Sequence, residues 1–290
     1  MNWILQEPII IQGINEPGVA DCVAKMKAYG TNIVAGVTVG KQKTTIQDLP
    51  LFNLVEEVAA ELDQVKTSLI FVPPDRVLDA AKEAIASSLT HLLIITKRVP
   101  ALDMIRLLQA KPKDTLILGS GSCGVLVPEK ACLGTLQSEY FSSGSVALIS
   151  CSEFLTYEVA WELKQQKIGN SYVVDLGNDP ILGSDLSQWL TFLDRDSQTE
   201  TIVLIQQVKD LEKFAVDLIE TKIDKPIVTY IAGLQTPQTR VLQNAADIVE
   251  SYLSGSLPNS NTNKKIINKL KKAGIVIAEN PAQIAAVITD

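Results

Sequence analysis

The chain has 290 residues, 46% hydrophobic and 20% charged, with a formal net charge of −7. That composition fits a folded chain of about two domains and excludes a disordered one. No apolar run approaches the roughly 18 residues of a membrane span, and the acidic balance opposes a nucleic-acid partner, which needs clustered Lys and Arg to release counterions.

The start, MNWILQEP, lacks the basic and then apolar pattern of a secretory leader, so the expectation is a cytoplasmic protein. The cysteines Cys22, Cys123, Cys132 and Cys151 form no C-x-x-C pair, and His91 is the only histidine. A Cys/His zinc site is therefore not expected, nor any other bound metal. His91 opens an apolar run and reads as a structural residue at a strand edge.

In chain order, short apolar runs alternate with amphipathic segments. The runs are 8–13, 32–37, 68–73, 91–96 and 115–119, then 145–150, 171–177, 201–206, 226–233 and 274–279. They are β-branched and continuous, as strands buried on both faces are, which predicts parallel sheets. Helices are predicted over 17–28, 54–62, 75–87, 101–110, 153–167, 184–194 and 209–222. Such alternation predicts an α/β fold. Ten strands exceed one comfortable open sheet, so the chain is divided near 135–144, giving domains 1–138 and 139–290. The polar stretch SGSLPNSNTNKK (254–265) reads as a surface loop.

The loops after these strands are where chemistry is expected. The first is QGINEPGVADC (12–22), which carries Gly13 and Gly18 at the first strand-to-helix turn. A second, GSGSCG (119–124), is a Gly-rich turn of weak specificity. The last, TPQTRVLQNAADI (236–248), offers no His, Cys, Ser or carboxylate before Asp247.

The stretch AYGTNIVAGVTVGKQKTTIQDLPLFN (28–53) resembles the α-subunit of succinyl-CoA synthetase. The likeness continues in order through FVPP (71–74), VPALDM (99–104), GVLVP (124–128), LTYE (155–158), DPILGSD (179–185), QTETIVLI (198–205) and KPIVTYIAG (225–233). It implies an N-terminal Rossmann-like CoA-binding domain and a C-terminal flavodoxin-like domain. It also implies a β-subunit-like ATP-grasp partner, with a homo-oligomer as the other arrangement. In the family a histidine of the α-subunit carries the phosphoryl group on the way to an acyl-CoA.

The likeness fails where that chemistry lies. Aligned on Arg240, the family's RMGHAGAI motif places Gln243 at the histidine, and an amide cannot carry a phosphoryl group. The Glu that orients that histidine becomes Gln207. The phosphate-binding helix start, similar to SRSGTLTYE, here reads SCSEFLTYE, with Cys151, Glu153 and Phe154 replacing Arg, Gly and Thr. Glu153 would repel phosphate. A thiol at that helix start would need a base, and none is near in sequence. For CoA, the resemblance points to Gly13, Asn15, Gly18, Lys41, Val72 and Pro73, while Lys97, where the family has Glu, and Lys43 add positive charge. Glu16 and Pro17 oppose it, by charge and by a missing N–H. The expectation is a catalytically degenerate family member that binds CoA weakly. Its alternative is an active ligase subunit that bypasses phosphohistidine.

Overall fold

The computed structural model describes residues 7–40, 45–62, 64–208, 211–234 and 260–289. The first sheet is built on β1 (Ile9–Gln12), whose residues are all buried. Such a strand needs a layer on each face, and the helices supply both. Around it lie β2 (Ile33–Val37), β3 (Thr45–Ile46), β4 (Leu49–Phe52), β5 (Thr67–Ile70), β6 (His91–Ile94) and β7 (Leu116–Leu118). Their order is β3-β4-β2-β1-β5-β6-β7. The helices are α1 (Val19–Ala28), α2 (Val55–Glu61), α3 (Val77–Ala86) and α4 (Ala101–Ala110).

The second sheet holds β8 (Gly124–Val127), β9 (Ala131–Gly134), β10 (Ser143–Ser150), β11 (Asn170–Asp175), β12 (Thr201–Gln207), β13 (Ile227–Ala232) and β14 (Val276–Ala278). Its order is β14-β13-β12-β10-β11-β8-β9. The helices are α5 (Glu153–Gln165), α6 (Leu186–Arg195), α7 (Leu211–Glu220), α8 (Ser260–Lys272) and α9 (Pro281–Thr289). The α6 start is fixed by its sequence. Asp185 accepts the Gln188 N–H at 3.0 Å, and Gln188 Oε1 accepts the Asp185 N–H at 3.3 Å. Behind this capping box Trp189 is fully buried, its indole N–H held by Ser184 Oγ at 2.9 Å.

The two-sheet α/β architecture is as expected, and three details differ from the sequence reading. The sheets are not wholly parallel: β3 runs against β4, and β8 runs against both β11 and β9. The β8–β9 hairpin precedes the 138/139 division yet hydrogen-bonds into the second sheet. Finally, α8 begins at Ser260, inside the stretch read as a loop, because IINKL supplies an apolar helical stripe after it.

Two seams join the halves. At one, β9 lies on α1: Thr31 Oγ1 donates to Cys132 O at 2.7 Å and accepts the Cys132 N–H at 3.1 Å. At the other, the loop after β11 presses on the exits of β6 and β7. Asp179 accepts the N–H groups of Arg98 and Val99 at 3.1 and 3.2 Å. Gly183 N–H donates to Gly119 O, and a Cβ at Gly183 would sit 2.4 Å from Ile117 Cγ2 and 2.6 Å from its carbonyl oxygen.

Asp175 ends β11 at this seam, 3% exposed. Its carboxylate accepts the Gly177 N–H at 2.8 Å and the Cys123 N–H at 3.2 Å. Burial pushes its pKa above the ordinary carboxylate value, with the nearby Glu153 charge adding to the effect.

Two outcomes are expected. Gly183→Ala forces backbone and Ile117 apart and costs about 1–3 kcal/mol, read as a lower denaturant midpoint; an unchanged midpoint would show that the seam yields freely. As pH rises from the ordinary carboxylate range through the raised value of Asp175, the folded state keeps a proton that the unfolded state has lost, so stability falls across that window. Asp175→Asn should flatten this slope in a pH series of denaturation curves; an undiminished slope would assign it to other groups.

Candidate functional site

Each sheet has a topological switch point, where successive crossovers leave in opposite directions and the carboxyl ends of two neighbouring strands open a crevice. In the first sheet this lies between β1 and β5, since β2 is on the other side of β1. A cavity of about 480 Å³ lies there, lined by Gly13 and Asn15 after β1, Thr38 after β2, and Val72 and Pro73 after β5.

Gly13 is required by both conformation and space. Its φ is +83°, and a Cβ would meet Val72 N at 2.8 Å and Phe71 C at 3.0 Å. The floor is fixed by Gln12, which donates to Ala80 O at 3.0 Å and accepts Ser68 Oγ at 2.8 Å. Asn15 is oriented by Thr38, whose hydroxyl donates to Asn15 Oδ1 at 2.6 Å. Gly18 caps α1 in the left-handed region with φ 80°, with nothing within 4 Å of where a Cβ would be, and it does not line this cavity.

The charge of this wall is mostly acidic. Glu16, Asp79 and Glu83 line it against one cation, Arg76, among the described residues. Glu83 is already engaged, its Oε1 accepting the Val55 N–H at 2.8 Å. Arg76 escaped the sequence reading, although it lies two residues beyond FVPP; a cation following a matched strand exit is the signal that would have found it. Lys41 and Lys43 lie outside the described residues, as does Gln243.

Lys97 does not line this cavity. It reaches across to the second half, its Nζ 2.8 Å from Glu153 Oε2. Their side chains are 49% and 38% exposed, so the pair is worth well under about 1 kcal/mol. It changes the reading of two residues at once. Lys97, expected to add positive charge near the mouth of the first domain, is paired with Glu153, and Glu153 is not bare at the start of α5. The hydrogen bond to Glu153 raises the Lys97 pKa.

The second switch point lies between β10 and β12. The cavity there is about 120 Å³, lined by Cys151 after β10, Gln206 and Gln207 at the end of β12, and Lys213 and Asp217 of α7. Gln207 thus lies on this cavity, at the carboxyl end of β12. His91 does not: it is at the amino end of β6, roughly 10 Å along the strand from the carboxyl edge. Burial lowers its pKa. Among the thiols, burial raises Cys22 to about 11 and Cys132 to about 12, and Cys123 well above its ordinary value with Asp175 contributing. Among the described residues no group of three or more His, Cys, Asp or Glu could hold a metal ion, and no helix is long and apolar enough to cross a membrane.

Comparison with known proteins agrees with this layout. Residues 6–98 match the CoA binding domain, and residues 143–289 match the succinyl-CoA ligase like flavodoxin domain. The chain is 32% identical over 285 residues to the succinate–CoA ligase [ADP-forming] subunit alpha of Aquifex aeolicus, covering 97% of this chain and 90% of that one. It is 33% identical over 289 residues to the malate–CoA ligase subunit alpha of Methylorubrum extorquens, covering 98% and 95%. Among solved structures, ATP citrate lyase from Methanothrix soehngenii, in complex with citrate and coenzyme A, superposes with a TM-score of 0.79 at 15% identity. The match covers 100% of this chain and 51% of that one, so the chain spans about half of that longer protein. The dinucleotide-forming acetyl-coenzyme A synthetase 1 of Ca. Korarchaeum cryptofilum superposes at 0.70 with 20% identity, over 94% of this chain and 58% of that one. Sequence motifs, two switch-point cavities and both domain matches converge: the chain belongs to the succinate–CoA ligase α-subunit family.

Proposed function

We propose that this chain is the α-type subunit of a cytoplasmic acid–CoA ligase, binding CoA at the first switch point and pairing with an ATP-grasp chain. The observation that carries the reading is the Gly13 turn, packed so closely on Val72 that no side chain fits, beside a cavity of about 480 Å³. A pantetheine-like chain needs such an uncluttered backbone edge. Gly13, Asn15, Val72 and Pro73 would hold it, with Arg76 facing its phosphates. When bound, CoA supplies the thiol that takes up the activated acyl group. The chain's own part is to position that thiol and exclude water.

The phosphoryl group does not travel on a histidine of this chain. The only histidine is His91, at the wrong end of its strand. Gln207 cannot stabilise an imidazolium as a carboxylate would. Activation of the acid would fall to the partner, as an acyl phosphate made from ATP.

A second reading is supported by the Lys97–Glu153 pair, which sets a carboxylate where the family offers helix amides to phosphate. On that reading the chain binds CoA or a partner without catalysis.

One set of measurements separates the two. The chain, co-expressed with an ATP-grasp β-type chain, should form CoA thioester and ADP in an acid-dependent way. It should carry no acid-labile, alkali-stable phosphoryl label. Such a label would overturn the histidine-free route, and absent turnover with intact CoA binding selects the second reading.

For CoA itself, calorimetry should give a dissociation constant between about 10 µM and 1 mM, because the acidic wall leaves few cations to hold its phosphates. Arg76→Glu should weaken binding about tenfold or more, since it reverses a charge facing the phosphates. Submicromolar, salt-indifferent binding would refute this account of the wall.

A further inference from the structure

The cavity at the first switch point is poor in the groups that hold phosphate. Among the described residues that line it, Arg76 is the one cation, against Glu16, Asp79 and Glu83. Glu83 is turned to the protein, its Oε1 accepting the Val55 N–H at 2.8 Å and its Oε2 accepting from Gln12 Nε2 at 3.4 Å. The turn after β1 is closed on itself as well. The Gly13 N–H donates to Val37 O at 2.9 Å, the Glu16 N–H to Gly13 O at 3.0 Å and the Val19 N–H to Glu16 O at 3.1 Å, while Pro17 has no N–H to give. Few backbone donors are left there to cradle an anion.

What the cavity does offer is an open backbone edge, where Gly13 lies against Val72 with no room for a side chain between them, and an apolar strip of Val72 and Pro73. That edge suits the uncharged pantetheine arm of a thiol carrier. CoA carries its charge elsewhere, in two places: a diphosphate bridge, singly charged at each phosphorus, and a phosphate on the ribose, with about −1.5 to −2 at neutral pH. The single cation of the wall can meet one of these groups. The other is left facing carboxylates.

Resting on the reading of this cavity as a CoA-type site, we propose that it selects a thiol carrier without the ribose phosphate, of the dephospho-CoA class. Arg76 then serves the diphosphate, and Glu16 and Asp79 act against the larger charge of CoA itself. The selection is by repulsion: the wall makes no contact that dephospho-CoA gains, and it penalises the group that dephospho-CoA lacks. A site that gripped the ribose phosphate would show the opposite order, since removing a held phosphate loses affinity.

Calorimetry on the full chain with CoA and dephospho-CoA tests this. At low ionic strength dephospho-CoA should bind about threefold more tightly than CoA, or better. Added salt should narrow the ratio, because it screens the carboxylates from the extra phosphate. Glu16→Gln combined with Asp79→Asn should narrow it too, improving CoA and leaving dephospho-CoA nearly unchanged, with the circular dichroism spectrum unaltered; the salt series gives the same readout if that variant does not fold. A ratio unmoved by both salt and the variant overturns the proposal. So does CoA binding as tightly as dephospho-CoA or tighter, which leaves the CoA reading intact. Lys41, outside the described residues, supplies a further arm: a Lys41→Ala variant that weakens CoA and spares dephospho-CoA would show a lysine holding the ribose phosphate, and would overturn the proposal. If neither ligand saturates by about 5 mM, the CoA reading itself falls, and the proposal with it.

Discussion

Where the two halves meet, backbone packs on backbone, and the rest of the molecule is arranged around that contact. A Cβ at Gly183 would strike Ile117, one at Gly177 would sit 2.3 Å from Ser120 O, and one at Gly119 would sit 2.3 Å from Ile94 O. Three glycines on two loops thus keep their own side chains out of one junction. The loop after β11 can then descend onto the exits of β6 and β7, and Asp179 can reach the N–H groups of Arg98 and Val99. Lys97 is carried to Glu153 by the same approach. The ion pair is a result of this packing and not its cause, since a half-exposed pair contributes too little to hold two domains together.

The two halves solve the same problem twice. Each central strand, β1 or β10, sends its crossovers to opposite sides, and each leaves a crevice at its carboxyl end. The chemistry at the two crevices differs. The first keeps a glycine turn and an open edge with a mostly acidic rim. The second has amides at the strand end, an apolar body and a rim of three carboxylates, Asp179, Asp185 and Asp217, against one cation, Lys213. A shared architecture therefore presents two different selectivities, decided by a few residues just beyond the strands.

Much of the fold was legible in the sequence, because strands buried on both faces announce themselves as continuous apolar runs. The run at 8–13 became β1 and the segment 101–110 became α4 over the same residues. The β8–β9 hairpin was not legible: GVLV and ACLG are four residues each, and their pairing with β11 is a long-range fact that no local pattern carries. The site was legible only in part. Gly13, Asn15, Val72 and Pro73 share one cavity, as motif position suggested. Lys97 could not be placed, because a charged side chain is assigned by what it meets, and Glu153 is 56 residues away in sequence.

The burial of the thiols has a consequence for acyl chemistry. A thiolate, not a thiol, attacks a thioester. With Cys22 near 11 and Cys132 near 12, less than about one thiol in a thousand is ionised at neutral pH. Cys123, higher still and 2% exposed, is more reluctant again. An acyl thioester held by this chain would therefore meet three cysteines unable to take its acyl group by transthioesterification. The protein is protected from acylating itself on these residues, and the carrier's thiol is left without competition from them.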